Sequence, residues 1–288
     1  MRLLLLAFGL LVSLVPAAHA RDSAADSVRT AKHGSGTLNL KSAAALVVEQ
    51  DGQQVLFAKN VETVLPIASI TKLMTAMVVL DANLPLDERI VIIKEDADGA
   101  KPTRSRLKAG NELARGDLLR LALMASENRA ASALARSYPG GTRAFVAAMN
   151  QKAIELGMWR TRFVDGTGLS SENVSTAQDL ARLVGAAYQQ ALIREYTTEY
   201  TYTVEIGKGR QLSFSNSNRL VRNSGWEIGL SKTGYISEAG RCLVLQAKIA
   251  ATPVIIVLLD SWGKLTRIGD ANRIKRWIES NSSRRPAG

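Results

Sequence analysis

The stretch PIASITKLMTAMVV, residues 66–79, marks the point where the sequence changes from strand-like to helical periodicity. The spacing predicts a helix over 70–81, and Ser69 and Lys72 stand one helical turn apart at its start, on the same face. The apolar residues that follow Lys72 predict that the lysine enters a buried helix. A serine at a helix N-terminus also has a free backbone N–H for an oxyanion. The stretch therefore predicts a nucleophilic serine whose general base is a lysine.

This S-x-x-K pattern is weak by itself, since the sequence contains it three times. The other two matches are Ser105 with Lys108 and Ser261 with Lys264. The former lies in a basic Pro/Gly loop over 100–111, and the latter is interrupted by Gly263. Because only the first match opens an apolar helix, we interpret the other two as coincidences.

Histidine is too scarce to supply the base. The chain has two, His19 and His33, and both precede the first predicted strand. A Ser-His-Asp triad and a His/Cys zinc site are therefore excluded, and we expect no metal or organic cofactor. A lysine base must have its pKa lowered by about three units from about 10.4, which corresponds to about 4 kcal/mol of environment.

A second motif, S-x-N, occurs as Ser126-Glu127-Asn128, directly after an amphipathic helix predicted over 116–125. A rigid element in that position aims a serine and an amide into a cleft. A further match, Ser171-Glu172-Asn173, falls in a Gly-flanked loop, where we predict a surface position. We interpret Ser171 as the N-cap of a helix that begins near Ser175.

A third motif, Lys232-Thr233-Gly234, occurs once, and we place it at the start of a predicted strand. A lysine and a hydroxyl on a strand edge suit a substrate carboxylate. The glycine removes the side chain that would block close approach of the backbone.

Taken in this order, the three motifs match the set typical of penicillin-binding proteins and class A β-lactamases. The chain resembles the low-molecular-mass penicillin-binding D,D-peptidases over nearly all of its mature length. The segment FVDGTGLS, residues 163–170, is similar to the loop that this family has between its second and third motifs.

The resemblance implies a catalytic role for three side chains. Ser69 is expected to form an acyl-enzyme, Lys72 to take the proton of Ser69, and Ser126 to relay a proton to the leaving amine. It also implies a binding role for a second group. Asn128 is expected to hold the substrate amide, and Lys232 and Thr233 its carboxylate, beside Gly234. The oxyanion is expected to meet the backbone N–H groups of Ser69 and Tyr235.

The function implied is a serine D,D-peptidase that acts on peptidoglycan peptides and is inhibited covalently by β-lactams. Many carboxypeptidases of the family carry an added β-rich domain and a terminal amphipathic anchor. Only 54 residues follow Gly234, so we favour the shorter endopeptidases of the penicillin-binding protein 7 type, which cleave D-alanyl–diaminopimelate cross-links.

Three alternatives stay open behind the endopeptidase. The first is a D-alanyl-D-alanine carboxypeptidase. The second is a serine β-lactamase, against which residues 129–231 lack the E-x-x-x-N arrangement that activates the deacylating water in class A enzymes. The third is a non-catalytic β-lactam-sensing module.

The N-terminus predicts export to the periplasm. Residues 1–20 combine Arg2, an apolar run and an A-x-A site, which is typical of a cleaved signal peptide. The net charge of +11 favours association with an anionic wall. We expect no nucleic-acid partner, since no recognition motif accompanies the charge. No stable membrane anchor is expected either, because the basic helix predicted over 265–278 suits packing on a sheet better than membrane binding.

The order of elements predicts one domain of the α/β class. We divide the chain into the signal peptide, a flexible arm (21–41), a penicillin-binding D,D-peptidase domain (42–280) and a polar tail (281–288). Strand patterns at both ends surround a helical block, which predicts a β-lactamase/transpeptidase-like antiparallel sheet flanked by helices, with an inserted helical subdomain. Predicted strands cover 43–49, 54–58, 89–93, 200–206, 211–214, 240–249 and 254–260, and further helices 129–137, 142–156 and 176–190.

Overall fold

The computed structural model describes residues 38–50, 54–97 and 105–282. The predicted signal peptide, most of the predicted arm, the turn predicted at Asp51-Gly52 and the end of the tail lie outside the described residues. The proposed domain boundaries stay a prediction.

The strands and helices follow the predicted order. The strands are β1 (Ser42–Glu49), β2 (Val55–Lys59), β3 (Leu65–Pro66), β4 (Arg89–Val91), β5 (Glu112–Ala114), β6 (Val174–Ser175), β7 (Thr201–Glu205), β8 (Gln211–Ser215), β9 (Glu227–Ile236), β10 (Gly240–Ile249) and β11 (Thr252–Ser261). The α-helices are α1 (Thr71–Asp81), α2 (Arg115–Met124), α3 (Asn128–Arg136), α4 (Gly141–Glu155), α5 (Ala177–Gln189), α6 (Ala191–Thr198) and α7 (Thr266–Ser282), with 3₁₀ turns at Ala68–Ile70, Lys94–Asp96 and Arg219–Arg222.

The central sheet joins both ends of the chain. Its five strands are antiparallel in the order β2-β1-β11-β10-β9, so the first strand of the chain pairs with the last. Strand β9, which carries the third motif, is an edge strand. This architecture confirms the predicted fold class.

Strand β11 explains why helices cover both faces of the sheet. Its run of six buried apolar residues alternates between two cores. Ile255 and Val257 pack towards the helical block, whereas Ile256 and Leu258 pack towards α7. A strand that is apolar on both sides needs a layer of helices on each.

Helix α7 is held on the sheet by one buried carboxylate, as the packing interpretation of this helix predicts. Asp270 accepts hydrogen bonds from Ser42 N at 2.8 Å, Ser42 Oγ at 2.6 Å and Lys41 N at 3.0 Å. Burial acts to raise the pKa of Asp270, but bonds from Ser42, Lys41 and Arg273 outweigh it and lower the pKa. Within the ranges described above, no helix is long and apolar enough to cross a membrane.

Helix α6 and strand β9 differ from the sequence prediction, and the short strands β3, β5 and β6 were not predicted either. Helix α6 was not predicted, because its short sequence ends in Thr-Thr and its formation depends on burying Ile193, Tyr196 and Thr197. Strand β9 begins at Glu227, five residues before the motif that was predicted to open it. A strand with two glycines and a buried lysine has a weak local signal, and pairing with β10 along its length determines it.

The single cysteine of the chain, Cys242, lies in the central sheet. It is fully buried on β10, and burial raises the pKa of its thiol to about 11. The thiol is therefore unreactive at neutral pH.

Candidate active site

The first motif places a lysine amine against a serine hydroxyl. A 3₁₀ turn over Ala68–Ile70 runs directly into α1, so Ser69 precedes the helix and Lys72 lies in its first turn. Lys72 Nζ is 3.0 Å from Ser69 Oγ. The lysine is fully buried, whereas the serine is half-buried and accessible. This is the geometry that a nucleophile and its base require.

Two further acceptors fix the orientation of the Lys72 amine. It donates to Asn128 Oδ1 at 2.7 Å and to the carbonyl oxygen of Thr167 at 2.6 Å. A neutral amine has two hydrogens and one lone pair. If both hydrogens are used by these oxygens, the lone pair faces Ser69, which is the orientation in which the amine accepts the hydroxyl proton.

The peptide before Ser69 is enclosed between two glycines from distant segments. Gly168, at φ +80°, packs against Ala68 O, and a Cβ there would lie 2.9 Å from Ser69 N. On the other side, a Cβ on Gly234 would lie 3.2 Å from Ser69 N and 2.9 Å from Ile67 O. Any larger side chain at either position would push the nucleophile away. The third motif therefore lies directly beside Ser69, as predicted.

The second motif is held in a strained conformation. Ser126 follows α2 with φ +61°, an uncommon value for a residue with a side chain. Its hydroxyl is bonded by Lys232 Nζ at 2.8 Å. Asn128 opens α3 and reaches back to Lys72. Ser126 Oγ and Asn128 Oδ1 are thus bonded to the two buried lysines of the site, Lys232 and Lys72 respectively.

Lys232 contributes a second buried amine. Burial lowers its pKa well below the usual value, and the nearby charges of Lys72 and Arg267 lower it further. Two fully charged lysines so close together in a buried site are unfavourable. The site therefore favours states in which Lys72 and Lys232 are not both charged, while the more exposed Arg267 keeps its positive charge.

Arg267 is a site residue that the sequence analysis misassigned to the basic solvent face of the terminal helix. Its Nη1 donates to Gly234 O at 2.7 Å and to Cys242 O at 3.2 Å. Burial, followed by the charge of Arg241, lowers the pKa of Arg267 to about 10, so it stays charged at neutral pH. Only the tertiary packing of α7 on β10 and β11 brings it here, 33 residues after Gly234.

Ser217 was also missed. Its hydroxyl lies 2.8 Å from Thr233 Oγ1, and its backbone N–H donates to Met124 O at the end of α2. The residue therefore connects the strand of the third motif to the helix that precedes the second. The segment SNSN, residues 215–218, has no pattern from which this contact could be predicted.

The loop over 163–170 supplies the acceptor for Lys72, and a single aspartate shapes it. Asp165 accepts from the backbone N–H groups of Thr167 and Gly168, both at 2.6 Å, and of Ser170 at 3.0 Å. Thr75 Oγ1 donates to Gly166 O at 2.6 Å, which ties the loop to α1. The loop was identified in the sequence by its resemblance to the family, whereas the role of Asp165 is evident only from the structure.

The second S-x-N match proves to be structural. Asn173 is fully buried, so its predicted surface position is wrong. Its Oδ1 accepts from Val164 N at 2.7 Å and from Asp165 N at 3.2 Å, and its Nδ2 donates to Thr71 Oγ1 and Asp165 O. The N-cap prediction for Ser171 is wrong as well, because Thr176 caps α5.

The serines of the other two S-x-x-K matches form hydrogen bonds with other partners. Ser261 is buried and bonded to Ser42 Oγ at 2.6 Å. Ser105 bonds to Glu127, the middle residue of the second motif. Neither serine has its lysine within a hydrogen bond among the contacts of the described residues.

Comparison with known proteins agrees with this geometry. A family model described as D-alanyl-D-alanine carboxypeptidase matches residues 29–263. A D-alanyl-D-alanine endopeptidase of Pseudomonas aeruginosa is 50% identical over 84% of this chain and 78% of its own length. One of Escherichia coli is 44% identical over 96% and 87%. The crystal structure of the Streptomyces K15 DD-transpeptidase superposes with a TM-score of 0.76 at 30% identity, covering 83% of this chain and 97% of that one.

Proposed function

The chain belongs to the D-alanyl-D-alanine carboxypeptidase family of serine peptidases, and we propose that it hydrolyses D-alanyl bonds of peptidoglycan through an acyl-enzyme on Ser69. The observation that carries the proposal is the bonding of Lys72. Its amine lies 3.0 Å from the hydroxyl while two other acceptors take its hydrogens.

Acylation uses the three motifs in turn. Ser69 Oγ attacks the carbonyl carbon of the D-alanyl bond, and its proton passes to Lys72 Nζ. The backbone N–H groups of Ser69 and Tyr235 stabilise the resulting oxyanion. As the C–N bond breaks, Ser126 relays to the leaving amine the proton that Lys72 took from Ser69, so that Lys72 and Ser126 end the step in their starting protonation states. A water molecule then hydrolyses the ester and restores the Ser69 hydroxyl.

The departing residue is held by its carboxylate. Thr233 and Lys232 bind it, and Asn128 binds the amide of the acyl portion. Because the pKa of Lys232 is lowered by burial while Arg267 stays charged, Arg267 supplies the fixed positive charge beside the motif. An incoming carboxylate then favours the protonated form of Lys232, which strengthens binding.

We infer endopeptidase action on D-alanyl–diaminopimelate cross-links as the main activity. Two relatives that carry the name endopeptidase are at least 44% identical to the chain. The carboxypeptidase alternative is kept because the family model bears that description. Covalent inhibition by β-lactams and action in the periplasm, after removal of residues 1–20, belong to the same proposal.

Equal amounts of cross-linked muropeptide dimer and pentapeptide monomer separate the two activities. We expect the purified mature protein to split the dimer faster than it releases terminal D-alanine from the monomer, measured by chromatography of the products. Ser69→Ala is the control and should do neither. Faster release from the monomer would assign the enzyme as a carboxypeptidase.

A further inference from the structure

Three side chains lie at one end of the central sheet, where β9 and β11 end and β10 begins. Tyr235 is 56% exposed and Trp262 is 86% exposed. The guanidinium carbon of Arg241 lies 4.3 Å from the centroid of the Tyr235 ring. Arg241 is the register partner of Tyr235 on one side and of Ser261 on the other, and Trp262 follows Ser261 directly. We call Tyr235, Arg241 and Trp262 the strand-end ledge.

The strand-end ledge is continuous with the reaction centre. Tyr235 follows Gly234, whose backbone packs against Ser69 N. Under the proposed function the departing carboxylate lies at Thr233 and the scissile carbonyl at Ser69. The order along β9 is therefore leaving group, scissile bond and then acyl donor, so the donor peptide runs on past Tyr235. Since β9 is an edge strand, an extended peptide can lie along it as an added strand.

The chemistry of the strand-end ledge suits an acidic peptide. Arg267 places a second guanidinium next to this region, because its Nη1 donates to the carbonyl oxygen of Gly234, the residue before Tyr235, at 2.7 Å. Stacking on Tyr235 holds the guanidinium of Arg241 in place, which favours a directed bond to a carboxylate. The acidic groups nearby are Glu238, bonded by Ser237 Oγ at 2.8 Å, and Asp260 on β11.

The donor stem of peptidoglycan presents such a carboxylate. Its D-alanine is preceded by diaminopimelate, and this by a γ-linked D-glutamate whose α-carboxylate is free. Two residues of extended chain span about 7 Å, and adjacent strands are about 4.8 Å apart. An added strand lies on the outer side of β9, so it is two such spacings, roughly 10 Å, from β10. Arg241 spans part of that distance, because its guanidinium lies over the ring of Tyr235 on β9, and the carboxylate can reach it there. The aromatic rings cover the apolar parts of the stem.

We propose that the strand-end ledge is a subsite for the acidic stem peptide of the acyl donor, with Arg241 binding the α-carboxylate of its D-glutamate. The proposal rests on the proposed function and adds a determinant of specificity to it. Because the donor stem is the same in dimer and pentapeptide, the subsite serves either activity.

The test uses two dimers that differ only at the donor D-glutamate, with its α-carboxyl free in one and amidated in the other. For each enzyme, kcat/KM on both dimers is divided by the rate constant of penicillin acylation, which reports on folding and the reaction centre. We expect the wild type to prefer the free acid about fivefold, the upper end of what an exposed ion pair contributes. In Arg241→Gln the normalised kcat/KM on the free-acid dimer should fall about fivefold, and the preference for the free acid should disappear. In Trp262→Ala the normalised kcat/KM should fall on both dimers, and the preference for the free acid should remain.

Matched controls come from the same chain. Arg143→Gln removes one exposed positive charge on α4, and Trp159→Ala removes a ring that is 74% exposed. Neither variant should change the preference for the free acid or the ratio of kcat/KM to the rate constant of penicillin acylation. Equal cleavage of acid and amide by the wild type, or an equal loss on both in Arg241→Gln, would overturn the subsite. If the wild type cleaves only pentapeptide, the same pair of stems is tested there. If it cleaves neither, the proposed function fails together with the subsite.

Discussion

Lys232 Nζ lies 2.8 Å from Ser126 Oγ, so the lysine of the third motif is bonded to the serine of the second across 106 residues of sequence. Lys72 is bonded in the same way to Ser69 and to Asn128. The site therefore contains two Ser–Lys pairs. Under the proposed function, the Ser69–Lys72 pair activates the nucleophile, and the Ser126–Lys232 pair keeps a proton available for the leaving group.

Labelling by a β-lactam should depend on one serine. We expect fluorescent penicillin to tag the mature protein and Ser69→Ala to abolish the tag, because Ser69, 3.0 Å from Lys72 Nζ, is the nucleophile of the proposed function. Gel fluorescence after incubation measures this. Ser105→Ala is the control and should still be tagged. Loss of the tag in the control alone would show that the wrong S-x-x-K was chosen.

Loss of the base should slow acylation without preventing β-lactam binding. Removing one member of a nucleophile–base pair disables the unit, so Lys72→Ala should reduce the acylation rate constant about a thousandfold or more. Stopped-flow or time-resolved labelling measures the rate. Lys108→Ala, which changes the lysine of the discarded match, should acylate at the wild-type rate. A comparable loss in both variants would contradict the assignment.

Deacylation from a β-lactam should be slow, because residues 129–231 lack the E-x-x-x-N arrangement. Nitrocefin should be consumed in a burst of one equivalent, with negligible turnover over the following minutes, as followed by absorbance. Ser69→Ala should give no burst. Sustained turnover by the wild type would instead identify a β-lactamase.

The stability of the enzyme should depend on the titration of Lys232. Its pKa is lowered in the folded protein, first by burial and then by the charges of Lys72 and Arg267, whereas in the unfolded chain it stays near 10.5. Between the two values the unfolded chain binds the extra proton. The free energy of unfolding should therefore rise with pH between the folded and unfolded pKa values of Lys232. It should decrease again as the pH falls through the same range.

Urea unfolding at several pH values between about 7 and 10 measures that slope. Lys232→Met should flatten it, because the side chain no longer titrates. Lys264→Met makes the same change at an exposed position and should keep the wild-type slope. An unchanged slope in Lys232→Met would refute the role of this amine.

Asn173 should matter for stability although it makes no contact with Ser69 among the bonds above. Asn173→Ala leaves the buried N–H groups of Val164 and Asp165 without their acceptor. We expect a loss of about 3 kcal/mol in the free energy of unfolding, measured by chemical denaturation. Ser171→Ala, in the same tripeptide, should cost less than about 0.5 kcal/mol. Similar costs for both would show that the amide bonds are not what organises the loop.

The sequence was sufficient where chemistry and local periodicity coincide. Ser69 and Lys72 share a helix face, so their contact follows from spacing alone. The approach of the third motif to the first was inferred from family resemblance, since 160 residues separate Lys72 from Lys232. The positions of these residues confirm the arrangement, while their catalytic roles stay predictions.

What the sequence did not reveal depends on tertiary packing. Arg267 has the spacing of a solvent-facing helical residue, and only the docking of α7 turns it towards Gly234 O. Ser126 begins one S-x-N match and Asn173 ends the other. The different roles of the two matches depend on which loop is buried. Local sequence does not record that difference.

The hydroxyl contact between Ser42 and Ser261 spans 219 residues, which has a consequence for the order of folding. The sheet closes only when its first and last strands meet, and strand β9 with Lys232 joins that sheet through β10. Closing such long-range pairs is slow compared with forming local helices. A partly synthesised chain therefore has the Ser69–Lys72 pair on its helix but no complete site, and under the proposed function activity appears only once β11 pairs with β1.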